Sequence, residues 1–258
     1  MEQLIRRSPR LVGLKRSRWW IAGLQQVVAW LGRCTRAGAC RILKRLGIRY
    51  KRGRAYIHSP DLDYDLKMAY IQAAQTLAKT EPERYALLYQ DELTYYRRPS
   101  VARDYAWRGS KNPRVTQGYT RNRQRRIAGC LDAVEGRFLA QQRAGFDRYN
   151  LIQYYREVEA TYPDVKTIFL VQDNWSVHFH PDILLALADS KICLLRLPTY
   201  APWANPVERI WLRLKQELLH HHDFEDDWEG LQLAVQDWLD HCDQDPIGLL
   251  YSVSLSPC

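Results

Sequence analysis

Three acidic residues in this chain, Asp91, Asp173 and Glu208, have sequence surroundings that would hold a carboxylate in place. Carboxylate oxygens are hard donors, and three of them brought together from separate segments suit a pair of divalent cations. Cations held that way neutralise a phosphoryl group and align the attacking and leaving oxygens for displacement. Asp91 and Asp173 share a context. In YALLYQDE (85–92) and in TIFLVQDN (167–174), an apolar run of strand length ends in Gln-Asp and one further polar residue. Such near-continuous apolar runs belong to interior strands buried on both faces. Acids at the carboxyl ends of those strands lie where open α/β sheets place their sites.

Glu208 has a different setting. Residues 192–197 read as a further buried strand. Pro198, Pro202 and Pro206 then punctuate a loop that cannot be regular structure. Asn205 supplies a helix N-cap, with Pro206 at the first helical position. Val207, Ile210, Trp211, Leu214 and Leu218 recur on one helical face. Glu208 is therefore predicted in the first helical turn, on the edge of the buried stripe and beside a strand end. An ordinary role is open to it: a Glu in that turn closes a capping box or complements the helix dipole. The two strand-end acids are what favour a shared site.

The motif Asp173-Asn174-Trp175-Ser176-Val177-His178, followed by LPTYAPWANPVE (197–208), resembles the mariner-type DDE transposases, and more closely their bacterial insertion-sequence branch. Thirty-four residues separate Asp173 from Glu208, the spacing that marks family members whose third acid is glutamate. The Asp91-Glu92 pair matches the family's first acidic motif, in which the aspartate is the ligand. Trp203 and Ala204 depart from the residues usual before the Asn-Pro. The resemblance extends over nearly the whole chain. It implies a ribonuclease-H-like catalytic domain of the α/β class, a mixed sheet flanked by helices, with Asp91, Asp173 and Glu208 as catalytic residues and metal ligands. It implies two Mg²⁺ ions, with Mn²⁺ as a substitute, and a transposase and endonuclease that cuts DNA at element ends and transfers a 3′-hydroxyl into target DNA. Double-stranded DNA is then the partner, bound by a homodimer when two ends are paired. Glu92, Asn174, His178, Tyr200 and Asn205 would orient the ligands or line the groove around them.

The remaining elements fit that frame. Residues 126–141 read as two strands turning at Glu135-Gly136, residues 149–160 as a helix, and residues 226–240 as an acidic helix carrying Trp228, Leu231, Leu233, Val235 and Trp238 inward. Strands alternating with helices make an α/β sheet of mixed pairing. Three parts are expected: a helix-turn-helix module over 1–56, a connecting helix over 57–82, and the catalytic domain over 83–258. The connecting helix would carry one apolar stripe of Leu62, Leu66, Tyr70, Ala73 and Leu77. In the first part, residues 18–31 read as one helix ended by Gly32. Thr35 caps a second, in which Ile42, Leu43 and Leu46 face inward and Gly47 closes the end.

Charge divides the chain. The formal net charge is +9, yet residues 1–56 hold 15 Lys and Arg against one acid, a net of +14, and the remaining 202 residues net −5. A basic front on an acidic body points to a polyanion. Arg36, Arg41, Lys44 and Arg45 would line the outer face of the second helix, as in a helix laid in the major groove; a solvated basic helix of a small bundle is the alternative. Lys51, Arg52 and Arg54 would add backbone contacts. Residues 97–126 hold ten further cations against Asp104 alone, among them Arg97, Arg98, Arg108, Lys111 and Arg114, interleaved with Tyr105, Trp107 and Tyr119. That mixture suits a nucleic-acid surface, and an exposed hairpin with a solvated face is the duller option. The resembled family usually carries two amino-terminal modules; one is legible here, which implies a truncated or split chain.

Other classes find no support. There is no glycine fingerprint for nucleotides, no apolar run near the ~18 residues of a membrane span, and no signal-peptide pattern, so a cytoplasmic, nucleoid-associated protein is expected. The six cysteines form no CxxC pair and read as reduced thiols. His180 is expected at the surface, and His220-His221-His222 at a helix end beside its last carbonyls. Two other functions stay open: a catalytically silent or repurposed DNA-binding derivative, and a ribonuclease-H-like nuclease without strand transfer.

Overall fold

The structure, a computed structural model, describes residues 1–50, 59–107 and 110–255. The chain divides into two compact units, Met1–Tyr56 and Ile57–Cys258.

The first unit contains α1 (Glu2–Ile5), a 3₁₀ turn (Pro9–Val12), α2 (Ile21–Val27), α3 (Ala29–Gly32) and α4 (Arg36–Arg45) around Leu24, Leu31, Ala39 and Leu43. The single helix expected over 18–31 is broken: Val28 leaves helical geometry at φ −107° and ψ 96°. Val27-Val28 is a β-branched pair, whose stiff side chains weaken a helix at that point. The Thr35 side chain caps α4 by accepting the Gly38 N–H at 3.2 Å. At the other end Gly47, at φ +75°, turns the chain so that the Ile48 N–H donates to the Leu43 carbonyl. That turn packs Ile48 against the core and leaves Leu46 54% exposed, against the inward position expected for it. Arg36, Arg41, Lys44 and Arg45 are all exposed on α4. Lys51, Arg52 and Arg54 lie outside the described residues.

In the second unit α5 (Tyr64–Thr80) precedes β1 (Tyr85–Tyr96), β2 (Gln124–Asp132) and β3 (Phe138–Arg143). Then come α6 (Arg148–Ala160), β4 (Thr167–Gln172), α7 (Pro181–Ala186), β5 (Ile192–Arg196), α8 (Val207–Leu214), α9 (Trp228–Asp240) and α10 (Pro246–Ser252). The sheet order is β3-β2-β1-β4-β5. β1 runs antiparallel to β2 and parallel to β4, and β5 is parallel to β4. Alternation along β1 sends Leu87, Tyr89, Leu93 and Tyr95 into one core with Trp211 of α8 and Leu231 of α9, while Ala86 and Leu88 enter the other with Tyr154 and Tyr155 of α6. The same parity puts Asp91 on the α8 face and Glu92 on the α6 face.

Two expected faces are corrected. α5 belongs to the larger unit and buries Ile71, Ala74 and Ala78, whereas Leu62, Leu66 and Tyr70 of the expected stripe are exposed. Leu66, Tyr70 and Leu77 instead line an open groove beside Cys193, Leu194 and Leu195 of β5. In α9 the buried stripe is Leu231, Val235 and Leu239, and Leu233 points to solvent. Among the described residues no helix is long and apolar enough to cross a membrane.

Candidate active site

Parallel pairing of β1 with β4 ends at Tyr89 and Val171, while pairing of β1 with β2 continues to Tyr96. Asp91 thus sits in mid-strand, not at a strand end, but just past its last parallel rung. Asp173 follows β4 directly. The chain leaves β5 through the proline-punctuated loop and enters α8 as the residue types require. Asn205 is buried, its Oδ1 accepts the Val207 N–H at 3.2 Å, and its Nδ2 donates to the Gln90 carbonyl at 3.3 Å. One side chain therefore starts the helix of Glu208 and ties it to the strand of Asp91. On the other side, Asn174 Nδ2 donates to the Leu197 carbonyl at 2.8 Å, joining the end of β4 to the loop after β5.

The outcome is a single open cavity of about 420 Å³ lined by Asp91, Asp173 and Glu208, with Asn174, Tyr200 and Asn205 among its other walls. Tyr200, at φ +53°, is 73% exposed and forms the rim. Each aspartate has one oxygen already engaged. Trp211 Nε1 donates to Asp91 Oδ2 at 3.1 Å, and the Trp175 N–H donates to Asp173 Oδ1 at 2.8 Å. Sequence reasoning missed Trp211 as a ligand anchor; its place three residues after Glu208 on the buried face was the available signal. It also missed Asp61, whose Oδ2 takes the Thr199 N–H at 2.7 Å and the Lys67 ammonium at 2.7 Å, bracing the proline loop.

The electrostatics are those of excess negative charge. Burial, with the Glu208, Glu92 and Asp173 carboxylates, pushes the Asp91 carboxyl up to about 8. His178 is fully buried, with Nε2 3.4 Å from Asp173 Oδ1 and 3.5 Å from Glu92 Oε1, ion-pair distances longer than tight hydrogen bonds. Burial opposes the charged ring, but the two carboxylates outweigh it and raise His178 to about 9. Burial would also raise Asp173, yet the His178 ring and the Trp175 N–H hold it below the usual carboxylate range. Among the described residues no three His, Cys, Asp or Glu side chains are already drawn into a metal cage. Burial and the neighbouring carboxylates keep a proton on Asp91 near neutral pH, and a divalent cation between the acids would offset that repulsion and take the proton's place. The donor set, all oxygen, fits Mg²⁺ or Mn²⁺.

The charge excess has a measurable consequence in the metal-free protein. Asp91 binds its proton more tightly folded than unfolded, so stability falls as pH rises from about 3.8 to about 8. His178 adds a loss between its ordinary 6.5 and about 9. Tm in chelator is expected to decline steadily from mildly acidic to mildly alkaline pH, and Asp91→Asn to remove the decline below about pH 6.5 while the His178 part above it remains. A flat Tm profile for the wild type would refute this.

The other expected site residues fall in varied places. Glu92 accepts the Gln90 Nε2 proton at 2.8 Å and faces His178, away from the cavity's first lining. His180 is partly exposed and caps α7 through the Asp182 N–H at 3.2 Å. The histidine run fastens the start of the basic loop: His220 Nδ1 lies 2.7 Å from Ser100 Oγ, and His221 Nε2 accepts the Ala102 N–H at 2.8 Å. Arg97 is buried and its guanidinium donates to the Thr120 carbonyl at 2.9 Å, holding the base of the loop. Arg98 is half-buried on the same carbonyl at 3.3 Å. Lys111 and Arg114 are exposed, as are Tyr105, Trp107 and Tyr119, and the described residues between 101 and 123 form no hairpin. Arg108 lies outside the described residues.

A family model described as "DDE superfamily endonuclease" matches residues 86–229, a span holding all three acids. The chain is 28% identical over 235 residues to the "Insertion element IS630 uncharacterized 39 kDa protein" of Shigella sonnei, an alignment covering 90% of this chain and 67% of that protein. Among solved structures it is similar to the "Mos1 transposase paired-end complex with left transposon end", with a TM-score of 0.63 at 14% identity over 94% of this chain and 76% of that one. It is similarly related to the mariner Mos1 paired-end complex with Mg, at a TM-score of 0.62 and 14% identity over 94% and 77% of the two chains. At such identity the structural likeness speaks to the fold, which is ribonuclease-H-like: a mixed five-stranded sheet flanked by helices, behind an amino-terminal helical region.

Proposed function

Because this chain belongs to the DDE superfamily endonuclease family, in its IS630 and mariner branch, we propose that it is a transposase that cuts DNA at element ends and joins the freed 3′-hydroxyl to target DNA. The observation that carries this reading is the meeting of Asp91, Asp173 and Glu208 at one cavity from two strands and a helix start. Those three carboxylates would hold two Mg²⁺ ions, or Mn²⁺ in their place, and the ions when bound supply Lewis acidity and charge neutralisation at the scissile phosphate. The protein's part is positioning. Trp211 and the Trp175 N–H fix one oxygen of each aspartate, and Asn205 sets the helix that presents Glu208. In the first step water attacks phosphorus and the P–O3′ bond breaks, leaving a 3′-hydroxyl and a 5′-phosphate. In the second that hydroxyl attacks a target phosphorus and displaces another 3′ oxygen. Mos1 was crystallised as a paired-end complex, with Mg in one case and Mn in another. That precedent supports DNA as partner and the same metals here, and holding two ends at once is the reason a homodimer is proposed.

The test is a joining assay on a duplex carrying the inverted repeat beside the gene, pre-nicked to expose a 3′-hydroxyl. Joined product in Mg²⁺ is expected. Cutting without joining would select a nuclease, and specific binding with neither would select a silent DNA-binding derivative.

The exposed cations of α4 carry a separate prediction. Removing one cation that neutralises a phosphate flattens the slope of log K against log salt by ~0.9. Alanine at Arg36, Arg41, Lys44 and Arg45 together is expected to flatten it by up to roughly four such increments, read by fluorescence anisotropy across a salt series. An unchanged slope would remove this helix from the DNA interface.

A further inference from the structure

Behind the cavity lies a set of buried polar groups that the proposed chemistry leaves unused. Tyr155, on α6, is 0% exposed and sits in the core beneath β1 and β4. A phenol there is costly unless its hydroxyl is paired, and it is paired twice. The hydroxyl donates to Gln172 Oε1 at 2.9 Å and lies 2.9 Å from His178 Nδ1. A phenol has one proton to give. With it committed to Gln172, the oxygen can only accept from His178, so Nδ1 is the donor in that contact. The imidazole is further confined by Trp175, whose ring meets it edge-on at 5.3 Å. Held on those sides, the ring presents Nε2 to Asp173 Oδ1 at 3.4 Å. That same oxygen takes the Trp175 N–H at 2.8 Å. The Trp175 N–H bond and the longer ion-pair approach of Nε2, which Glu92 Oε1 shares at 3.5 Å, both fall on Oδ1, bias the rotation of the carboxylate and leave Oδ2 for the cavity that Asp173 lines.

We propose that Tyr155 is a positioning residue for the metal site: through His178 it sets the rotation of the Asp173 carboxylate that is to bind a divalent cation. The inference rests on the reading of Asp173 as a metal ligand. Groups that orient a ligand from behind change metal affinity although they never touch the ion. Tyr154 supplies a built-in comparison. It is equally buried in the same core, and its hydroxyl donates to the Leu139 carbonyl at 2.8 Å, a bond that ties it to β3 and not to the histidine.

The experiment measures Mn²⁺ binding to the full chain by electron paramagnetic resonance, without DNA or turnover, with Tm recorded for each variant. Tyr155→Phe is expected to weaken Mn²⁺ binding roughly 10-fold or more, while Tyr154→Phe stays within twofold of wild type. Gln172→Met removes the acceptor that directs the Tyr155 proton and is expected to weaken binding likewise; it decides the matter if Tyr155→Phe does not fold. Unchanged affinity in folded Tyr155→Phe, or an equal loss in Tyr154→Phe, would overturn the positioning role while leaving the metal site intact. A wild type that binds no Mn²⁺ would instead overturn the metal-site reading and this inference with it.

Discussion

Asp173→Asn and Glu208→Gln are each expected to lower Mg²⁺-dependent nicking by roughly 10²–10³-fold or more, on the scale seen when one preorganised electrostatic group is removed from an active site. Both changes keep the shape of the side chain and remove its charge, so what is tested is the grip on cations and not the packing. Glu208 is exposed and the Asp173 side chain is 54% exposed, so neither change opens a cavity. For Glu208→Gln, the Asp91 carboxyl, pushed up to about 8 by burial and then by the Glu208, Glu92 and Asp173 charges, loses one repulsive neighbour, so metal-free Tm is expected to hold or rise; Asp173→Asn also takes a carboxylate partner from buried His178, and its Tm is expected to fall modestly. Binding of end DNA through the basic amino-terminal unit is expected to persist. Rate loss with retained binding and undiminished Tm in Glu208→Gln is a pattern that misfolding cannot imitate. Variants that cut as well as wild type would remove these acids from the chemistry.

Local chemistry made parts of this architecture legible. Asn205-Pro206 starts α8, Thr35 caps α4, and Gly136 at φ +73° turns β2 into β3, because each depends on a side chain acting within a few residues of itself. What escaped depends on partners distant in sequence. Asp91 lies in mid-strand because β2 goes on pairing with β1 after β4 has left, and no pattern within 85–92 reports that. Apolar spacing offered the stripe of Leu62, Leu66, Tyr70, Ala73 and Leu77, whereas α5 buries Ile71, Ala74 and Ala78 against strands distant in sequence, which no local pattern reports. Tyr155 and Gln172 read as ordinary core and strand residues, since nothing around them in sequence indicates that a histidine closes over both. The three acids were legible through a motif whose spacing preserves the strand-loop-helix path between Asp173 and Glu208. The groups that hold those acids still were not.

Trp211 joins the packing of the molecule to its site, and its loss is expected to damage the fold severely. The side chain is 1% exposed and meets Phe138 edge-on at 5.7 Å. Gly129 stands opposite Asp91 across the β1–β2 pair, and a Cβ there would come within 2.7 Å of the Trp211 ring and 2.6 Å of Phe138. The missing side chain is therefore what lets the indole lie flat enough against the sheet for its N–H to reach Asp91. Trp211→Ala removes both the packing and the donor, and a cost of about 3–5 kcal/mol is expected, a Tm drop of roughly 6–20 °C for a chain of this size. Trp211→Phe keeps most of the volume and is expected to cost less, but it leaves Asp91 Oδ2 without its donor. The carboxylate form of Asp91 is then less favoured, so the fall of Tm with pH in chelator is expected to extend further to the alkaline side than in wild type, because a carboxyl raised higher loses stability over a wider span. Calorimetric melting across pH separates the two contributions. If Trp211→Ala melts within a degree or two of wild type, the indole is not the keystone between sheet and helix, and Asp91 must be held by something else.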